Sequence, residues 1–212
     1  MLVELRNRVV SVSRELSRLH LAQGTSGNVS ARDPSTGLIA ITPTGLPYDI
    51  IEPQDIPIID QSGRTVWGNK QPSSEMPMHT AVYKARSDVN GIVHTHSVYA
   101  TVFSVIDREV PVVTVPMAEI GPIPVAPFRL PGSNELGEEA VKWLGADKKA
   151  TLLQNHGILC ADQTVEKALS CAVYAEEGAQ IAYLAVLVGG MNPIPKEYIA
   201  IMREAQKKGK AL

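Results

Sequence analysis

The apolar segments of this chain alternate between short runs, which are typical of buried strands, and longer runs at helical spacing. Apolar residues recur every three to four positions between Leu5 and Leu19, which predicts an amphipathic helix near residues 3–22. A second long helix is predicted over 164–187, where Thr164 can act as the N-cap. Because strands and helices do not alternate strictly, the pattern favours a sheet with antiparallel pairs covered by helices over a parallel nucleotide-binding sheet.

The predicted strands are short apolar runs bounded by turn residues. They lie at 37–45, 91–97, 110–116, 150–155 and 157–162, with a hairpin over 55–68 that turns at Ser62-Gly63. Between the hairpin and the strand at 91–97, Ser73 or Ser74 is predicted to cap a helix that begins near Glu75. Together these elements predict an α/β fold.

Composition bounds the class of protein. The 212 residues are 44% hydrophobic, which predicts one domain over 1–212 with a substantial core. The net charge is -2 and the basic run is the short KKGK at 207–210, so we expect no nucleic-acid or membrane-surface partner. The charged N-terminus is unlike a signal peptide, and we expect a cytoplasmic protein. In that setting Cys160 and Cys171 are predicted to be reduced, buried thiols.

Three histidines are candidate ligands of one metal. His94 and His96 flank a threonine in GIVHTHS, and side chains at i and i+2 of a strand point to the same face. His156 follows another predicted strand in LLQNHGIL. Three protein ligands with an open fourth position are typical of a catalytic metal site. The alternative is that His94 and His96 are core histidines. The presence of the third histidine, His156, makes this alternative less favoured.

A carboxylate accompanies these histidines in the sequence. Glu75, in PSSEMPMH, can transfer protons next to a carbonyl group that a Lewis-acid metal polarises. The alternative is a solvated acid at the start of a helix. His79 lies four residues later on the same helix face and is either a partner of the site or a core residue. His20 is predicted to lie on the surface.

Three small-residue loops are candidate anion-binding segments. GTSGNVS at 24–30, TPTG at 42–45 and PSS at 72–74 combine glycines with hydroxyl side chains. If the loops meet, their backbone amides and hydroxyls form a mostly neutral phosphate cradle. Ordinary turn chemistry is the alternative for each loop taken alone. Neither a GxxxxGK[ST] nor a GxGxxG motif occurs, so no nucleotide fingerprint is present.

Five motifs, GTSGNVS, TPTG, PSSE, HTH and NHG, occur in the order found in the class II aldolase/adducin family. The chain resembles this family from about residue 5 to 190, and most closely its fuculose-phosphate aldolase branch. The resemblance implies a three-layer α/β/α sandwich around a mainly antiparallel central sheet. It also implies a homotetramer with its sites at the subunit interfaces.

The resemblance further assigns roles to individual residues. Glu75, His94, His96 and His156 match the metal ligands, with Zn²⁺ expected and Mn²⁺, Co²⁺ or Fe²⁺ as alternatives. Glu75 also matches the catalytic acid/base. The matching substrate and phosphate contacts are Gly27, Asn28, Thr44, Gly45, Ser73 and Ser74. The implied reaction is reversible cleavage of a ketose 1-phosphate, through a metal-stabilised enediolate, to dihydroxyacetone phosphate and a short aldehyde.

Three features separate the chain from fuculose-phosphate aldolases. Val115 stands where those enzymes have a tyrosine, and no aromatic residue follows Tyr198 in the tail, which leaves the aldehyde open. Glu119 matches an acid of the family's pentulose-5-phosphate 4-epimerases and methylthioribulose-1-phosphate dehydratases, which provide an alternative function using the same metal. The alternative interpretation of Glu119 is a surface acid at the end of a strand. A further alternative is a non-catalytic module like adducin, which the intact metal motif does not favour.

Overall fold

The computed structural model describes residues 1–208, and the last four residues, which complete the KKGK run and the tail, lie outside this range. Within residues 1–208 the chain forms six α-helices and eight β-strands. The helices are α1 (Val3–Arg18), α2 (Met76–Ala85), α3 (Val98–Val105), α4 (Asn134–Leu144), α5 (Val165–Leu187) and α6 (Lys196–Lys207). The strands are β1 (Asn28–Arg32), β2 (Ile39–Ile41), β3 (Ile58–Ile59), β4 (Thr65–Trp67), β5 (Gly91–Thr95), β6 (Val125–Ala126), β7 (Ala150–Leu153) and β8 (Gly157–Asp162).

The strands of the described range form one sheet in the order β4-β3-β2-β1-β5-β8-β7-β6. Every neighbouring pair is antiparallel except β6 and β7. The mainly antiparallel sheet that the sequence pattern predicted is therefore confirmed. The strands β1, β5 and β8 are buried along their whole length. Because they lie in the middle of the strand order, their ends lie near the middle of the two edges of the sheet that the strand ends form.

Helices cover both faces of the sheet and divide the core in two. One cluster joins α1, α3 and α5 to the sheet, and the other joins α2 and α4 to the opposite face. Strand β5 shows the alternation: Val93 belongs to the first cluster and Ile92 to the second. His94, two residues after Ile92, therefore faces the layer of α2. The arrangement is the predicted three-layer α/β/α sandwich.

Several predicted elements are confirmed with small shifts. The hairpin of β3 and β4 closes with the N–H of Gly63 donating to the carbonyl of Asp60 at 2.9 Å. Thr164 caps α5, because its side chain accepts the N–H of Lys167. Glu75, rather than a serine, is the N-cap residue of α2.

The two cysteines, Cys160 and Cys171, are free and buried, as predicted. Among residues 1–208, no helix is both long and apolar enough to cross a membrane.

Besides the serine cap predicted for α2, three predictions about local structure were wrong. Helix α1 ends at Arg18 instead of continuing to 22, because His20, which is exposed as predicted, takes a left-handed conformation with φ 56° and turns the chain back. The segment 110–116 is not a strand: only Val110 forms a bridge, with Ile123. Two of its residues are prolines, which lack the N–H that a strand needs.

The third wrong prediction concerns the loop at 24–30. Its second half is the start of β1, a central strand. The polar residues Ser30 and Arg32 interrupt the apolar pattern that would predict this strand, although both are buried in the structure. The Arg32 guanidinium donates to four backbone carbonyls at the end of α2 and in the turn after it, so its burial does not leave its N–H groups unpaired.

Candidate active site

Four ionisable side chains converge at one edge of the sheet. One ligand atom from each of Glu75, His94, His96 and His156 lies within 4.8 Å of all the others. The Nε2 atoms of His94 and His96 are 3.0 Å apart. The two carboxylate oxygens of Glu75 lie 3.0 Å from Nε2 of His94 and 3.1 Å from Nε2 of His156. The three histidines that the sequence predicted to share a metal therefore do meet, and Glu75 joins them.

The strand pairing explains why such distant residues meet. His94 lies near the carboxyl end of β5, and His96 follows just after the strand. Because β5 and β8 are antiparallel, with Thr95 opposite Ile158, this end lies beside the beginning of β8. His156 directly precedes β8. Glu75 reaches the same place as the N-cap of α2, which covers this face of the sheet.

Two glycines allow the backbone to approach the histidines. Gly27 has φ 79°, and a Cβ added there would lie 2.6 Å from the carbonyl oxygen of His94. At Gly157 an added Cβ would lie 2.3 Å from the carbonyl oxygen of Thr95 and 3.0 Å from a ring carbon of His96. A methyl group at either position would push the neighbouring strand away. Both glycines therefore allow close packing of the backbone around the strands that carry the histidines.

The cluster has the chemistry and dimensions of a divalent metal site. The Nδ1 atom of His94 lies 2.9 Å from the carbonyl of Ile158, so Nδ1 carries the proton and Nε2 offers its lone pair to the cluster. In a tetrahedral zinc site, neighbouring ligand atoms lie about 3.3–3.6 Å apart. The closest pairs here are 3.0–3.1 Å apart. Three imidazole nitrogens and one carboxylate would thus hold a divalent cation with little movement.

Electrostatics keeps Glu75 ionised. Burial alone would raise its pKa, but whenever His94 and His156 carry protons that point at the carboxylate, the charge of His94 and the hydrogen bonds with His156 and His94 outweigh burial and hold the pKa well below its usual range. The pKa of His96 is lowered to about 4, by desolvation and by the charges of His94 and His156. The ionised carboxylate of Glu75 and the imidazole of His96, which resists protonation, are suited to bind a metal.

The predicted phosphate loops are brought together by backbone hydrogen bonds. The N–H of Thr42 donates to the carbonyl of Val29 at 2.9 Å, and the N–H of Ser73 donates to the carbonyl of Thr42 at 3.0 Å. The N–H of Thr44 donates to the carbonyl of Gln71 at 3.0 Å. The loops at 24–30, 42–45 and 72–74 are therefore adjacent, next to the metal cluster.

The candidate substrate contacts differ in exposure. Thr44, Gly45 and Ser74 are exposed, Gly27 is half-buried, and Asn28 and Ser73 are buried. An added Cβ at Gly45 would meet nothing within 4 Å, so the loop is open on this side. The Oγ of Ser73 accepts the N–H of Glu75 at 3.2 Å, which leaves its own O–H free. Three of the six positions thus offer polar groups at the accessible rim of the cluster.

A buried chain of polar side chains leads from the carboxylate into the protein. The amide of Asn28 donates to Oε2 of Glu75 at 2.9 Å, and its oxygen lies 2.5 Å from Nε2 of His79. Nδ1 of His79 lies 2.6 Å from Oγ of Ser30, which lies 2.9 Å from the hydroxyl of Tyr83. His79 is therefore a partner of the site, one of its two predicted roles. Sequence reasoning missed Ser30 and Tyr83.

Glu119 lies away from the cluster of its own chain. Its carboxylate is 2.7 Å from the ammonium of Lys149, which is also 2.9 Å from Asp162. Lys149 directly precedes β7, whereas His156 follows it, so Glu119 lies at the opposite edge of the sheet. Val115 is exposed at the start of the short 3₁₀ turn that contains Glu119. The structure brings neither residue to the metal ligands of the same chain.

Comparison with known proteins decides the family. The sequence profile of the class II aldolase and adducin N-terminal domain matches residues 7–183. This chain belongs to the class II aldolase and adducin family. L-fuculose phosphate aldolase of Escherichia coli K12 is 39% identical to it over 209 residues, covering 96% of this chain and 94% of the relative. The resemblance inferred from the five motifs is therefore confirmed.

A second relative of this class II aldolase is named for different sugar phosphates, and a solved structure is named for the same one as the first relative. The 5-methylthioribulose-1-phosphate/5-deoxyribulose-1-phosphate aldolase of Escherichia coli O45:K1 is 38% identical over 192 residues, covering 90% of this chain and 87% of that relative. A solved structure of an L-fuculose 1-phosphate aldolase superposes with a TM-score of 0.92 at 33% identity, covering 96% of both chains. Fold and relatives together place the chain among the class II aldolases, which are carbon–carbon lyases.

Proposed function

We propose that the enzyme cleaves a ketose 1-phosphate reversibly into dihydroxyacetone phosphate and a short aldehyde. The observation that carries this proposal is the meeting of three imidazoles and Glu75 within 4.8 Å, directly beside the paired loops at 42–45 and 72–74. A carbonyl-activating centre next to an anion-binding rim suits a substrate with its phosphate near the reacting carbon. The named relatives support this class, because each acts on a ketulose phosphate.

The substrate contacts divide into two groups. The exposed groups of Thr44, Gly45 and Ser74 hold the phosphate, with Ser73 donating its free hydroxyl hydrogen from the inner side. Gly27 and Asn28 border the sugar next to the metal ligands. Backbone amides and hydroxyls bind a phosphate dianion by direct hydrogen bonds without a neighbouring lysine or arginine.

Glu75 performs the proton transfer of the reaction. In the cleavage direction the bond between C3 and C4 breaks, the C4 hydroxyl loses its proton as the aldehyde forms, and C3 gains a proton. Glu75, as the ionised carboxylate, accepts the proton that the C4 hydroxyl loses and delivers a proton to C3, and in the condensation direction both transfers are reversed. The amide of Asn28 donates to Oε2 of Glu75 at 2.9 Å, which helps to hold the carboxylate at one position relative to the substrate. Atoms and electrons balance without an oxidant or reductant.

His94, His96 and His156 would hold the metal, with Glu75 as the fourth ligand when substrate is absent, and for this metal we propose Zn²⁺, with Mn²⁺, Co²⁺ and Fe²⁺ as alternatives that availability decides. When bound, the cation supplies Lewis acidity to the oxygen atoms of the substrate and lowers the energy of the negative charge that develops on cleavage. Loading separate samples with each metal, and measuring metal content and activity together, distinguishes the alternatives.

We also propose a homotetramer with its sites at subunit interfaces. Large apolar side chains are exposed at the end of α5 and directly after it, including Leu184, Leu187 and the C-cap residue Val188, which is 86% exposed. Exposed apolar patches of this kind mark interaction surfaces. Light scattering should give four times the 22.8 kDa mass of the chain, and a monomer would contradict the proposal. A cytoplasmic location accords with the two free thiols.

The function is tested by a coupled assay for dihydroxyacetone phosphate. Metal-loaded protein is offered a panel of ketose 1-phosphates that includes L-fuculose 1-phosphate and 5-deoxyribulose 1-phosphate, with and without a chelator. We expect a chelator-sensitive triose product from at least one of them, and the best substrate identifies the aldehyde. If confirmed metal-loaded protein releases no triose from any of them, the proposal fails.

The epimerase or dehydratase alternative stays a prediction that the geometry does not favour, because Glu119 is paired with Lys149. Product analysis on a pentulose 5-phosphate and on methylthioribulose 1-phosphate separates it from the aldolase. Isomerised sugar or loss of water without triose would support the alternative.

A further inference from the structure

The carboxylate of Glu75 sets the direction of the buried polar chain behind it. An ionised carboxylate only accepts hydrogen bonds, so Asn28 must present its NH₂ group to Oε2 of Glu75. The amide oxygen of Asn28 then faces His79, whose Nε2 must carry the proton that it accepts. Nδ1 of His79 is consequently unprotonated and accepts the hydroxyl hydrogen of Ser30. Every hydrogen bond from Ser30 to Glu75 thus donates toward the carboxylate.

The opposite arrangement is unfavourable at each step. A proton on Nδ1 of His79 would turn Nε2 into an acceptor, and Asn28 would have to rotate its amide to donate to it. The amide oxygen would then face Oε2 of Glu75, two acceptors in contact. Because this region is buried, no exchange with solvent relieves such a clash.

Burial keeps His79 in the neutral form that this chain of bonds requires. His79 is fully buried, and Asn28 and Ser30 are 4% and 0% exposed. Burial, followed by the charge of His94, lowers the pKa of His79 to about 3. The two groups that hydrogen-bond the ring, Asn28 and Ser30, are uncharged, and the charge of Glu75, which favours the cation, is outweighed by burial and by His94.

We propose that His79 is a positioning residue for the aldolase reaction. It holds Asn28 so that the amide NH₂, and not the oxygen, faces Glu75, which fixes the carboxylate for proton transfer. His79 contacts Asn28 and Ser30 rather than the metal-ligand atoms, so it acts through Asn28. The consequence for catalysis rests on the function proposed above, whereas the protonation pattern of His79 does not.

Two substitutions of similar size separate positioning from packing. In His79→Gln the side chain is long enough to place an amide donor near the position of Nε2, opposite the oxygen of Asn28. In His79→Asn the shorter amide can replace only Nδ1, next to Ser30. Both variants retain a polar, uncharged group in the cavity, so they differ mainly in the hydrogen bond to Asn28.

We expect His79→Asn to lose about 10–100-fold in kcat, the usual effect of losing an outer partner of a metal site, with KM changed little. His79→Gln should recover most of the kcat, and bound metal per chain should stay that of the parent in both variants. Equal losses in the two variants, or no loss in His79→Asn, would overturn the positioning role.

A spectroscopic measurement tests the same inference without activity. In zinc-loaded protein labelled with ¹⁵N-histidine, the signals of His79 are those absent from His79→Gln. We expect the proton on Nε2 and a bare Nδ1. A proton on Nδ1 would overturn the inference even if the enzyme is an aldolase. The Nε2–H form in a protein that cleaves no ketose 1-phosphate would instead retain the positioning of Asn28 and refute the proposed reaction. The measurement remains decisive if His79→Asn does not fold.

Discussion

The two ends of strands β5 and β8 carry similar numbers of ionisable groups, but the groups are paired in different ways. At one end, Lys149 lies 2.7 Å from Glu119 and 2.9 Å from Asp162, so its positive charge is shared by two carboxylates. At the other end, Glu75 lies among three imidazoles, with lone pairs converging on one point. The charged groups at the first end pair with one another, whereas the acceptor atoms at the second end require a cation. Convergence of acceptors, rather than the number of charged residues, marks the functional end.

The largest expected difference between the two ends of the sheet is the effect of a substitution on activity. Glu75→Gln keeps the shape of the side chain but cannot transfer the proton, so kcat should fall by about 10²–10⁴-fold. Glu119→Gln, the same change at the opposite end of the sheet, should keep the kcat of the parent. Steady-state release of dihydroxyacetone phosphate measures both variants. A crippled Glu119→Gln enzyme with an active Glu75→Gln enzyme would reverse the assignment of the two ends.

At the end of the sheet that carries Lys149, we expect a substitution to lower the stability of the protein and not its activity. Lys149→Met leaves the carboxylate of Asp162, which is 6% exposed, without its cation. Because Lys149 itself is 25% exposed, we expect a loss between surface and buried pairs, about 1–3 kcal/mol in the free energy of unfolding. Denaturant unfolding measures it. The kcat should not change.

A matched double variant sharpens this test. Lys149→Met with Asp162→Asn removes the unpaired charge and should recover part of the stability. If the double variant is less stable than Lys149→Met alone, the loss does not come from the stranded carboxylate of Asp162.

The smallest effect is expected where an ion pair is exposed. Arg8 hydrogen-bonds Glu166 and, as the largest cause, lowers the pKa of Glu166 from its ordinary 4.5 to about 2. A lowered pKa means that the pair contributes stability above about pH 4.5 and loses it as the pH falls toward 2. Both side chains are more than a third exposed, so Glu166→Gln should cost only about 0.2–1 kcal/mol near neutral pH. The difference in Tm between parent and variant should shrink on acidification, and a widening difference would refute the assignment.

Much of the fold could be predicted from periodicity and turn residues. Helix α5, strands β5, β7 and β8, and the hairpin of β3 and β4 follow apolar patterns that tertiary contacts reinforce. Strand β1 could not be predicted, because Ser30 and Arg32 make it look like a loop. Their burial depends on partners in α2 and the turn after it, such as His79 and Tyr83, about fifty residues later in the chain. Residues 110–116 gave the opposite error. Their valines are typical of a strand, but the two prolines among them lack the N–H groups that a strand needs.

The convergence of the three histidines was predictable for a physical reason. His94 and His96 lie two residues apart at a strand end, and His156 precedes a strand that pairs with it, so local pattern and topology agree. The environment of Glu119 was not predictable, since its partner Lys149 lies thirty residues away and no local signal links them. The role of His79 needed the positions of Asn28 and Ser30, which only the structure provides.

The most direct test of the central claim is a metal titration of activity. Chelator-treated protein should release no dihydroxyacetone phosphate from the best ketose 1-phosphate of the panel. Activity should return in proportion to added Zn²⁺ and reach its plateau at one ion per chain, and His96→Ala should prevent that return. Full activity in protein that contains no metal, or a plateau that His96→Ala leaves unchanged, would contradict the account.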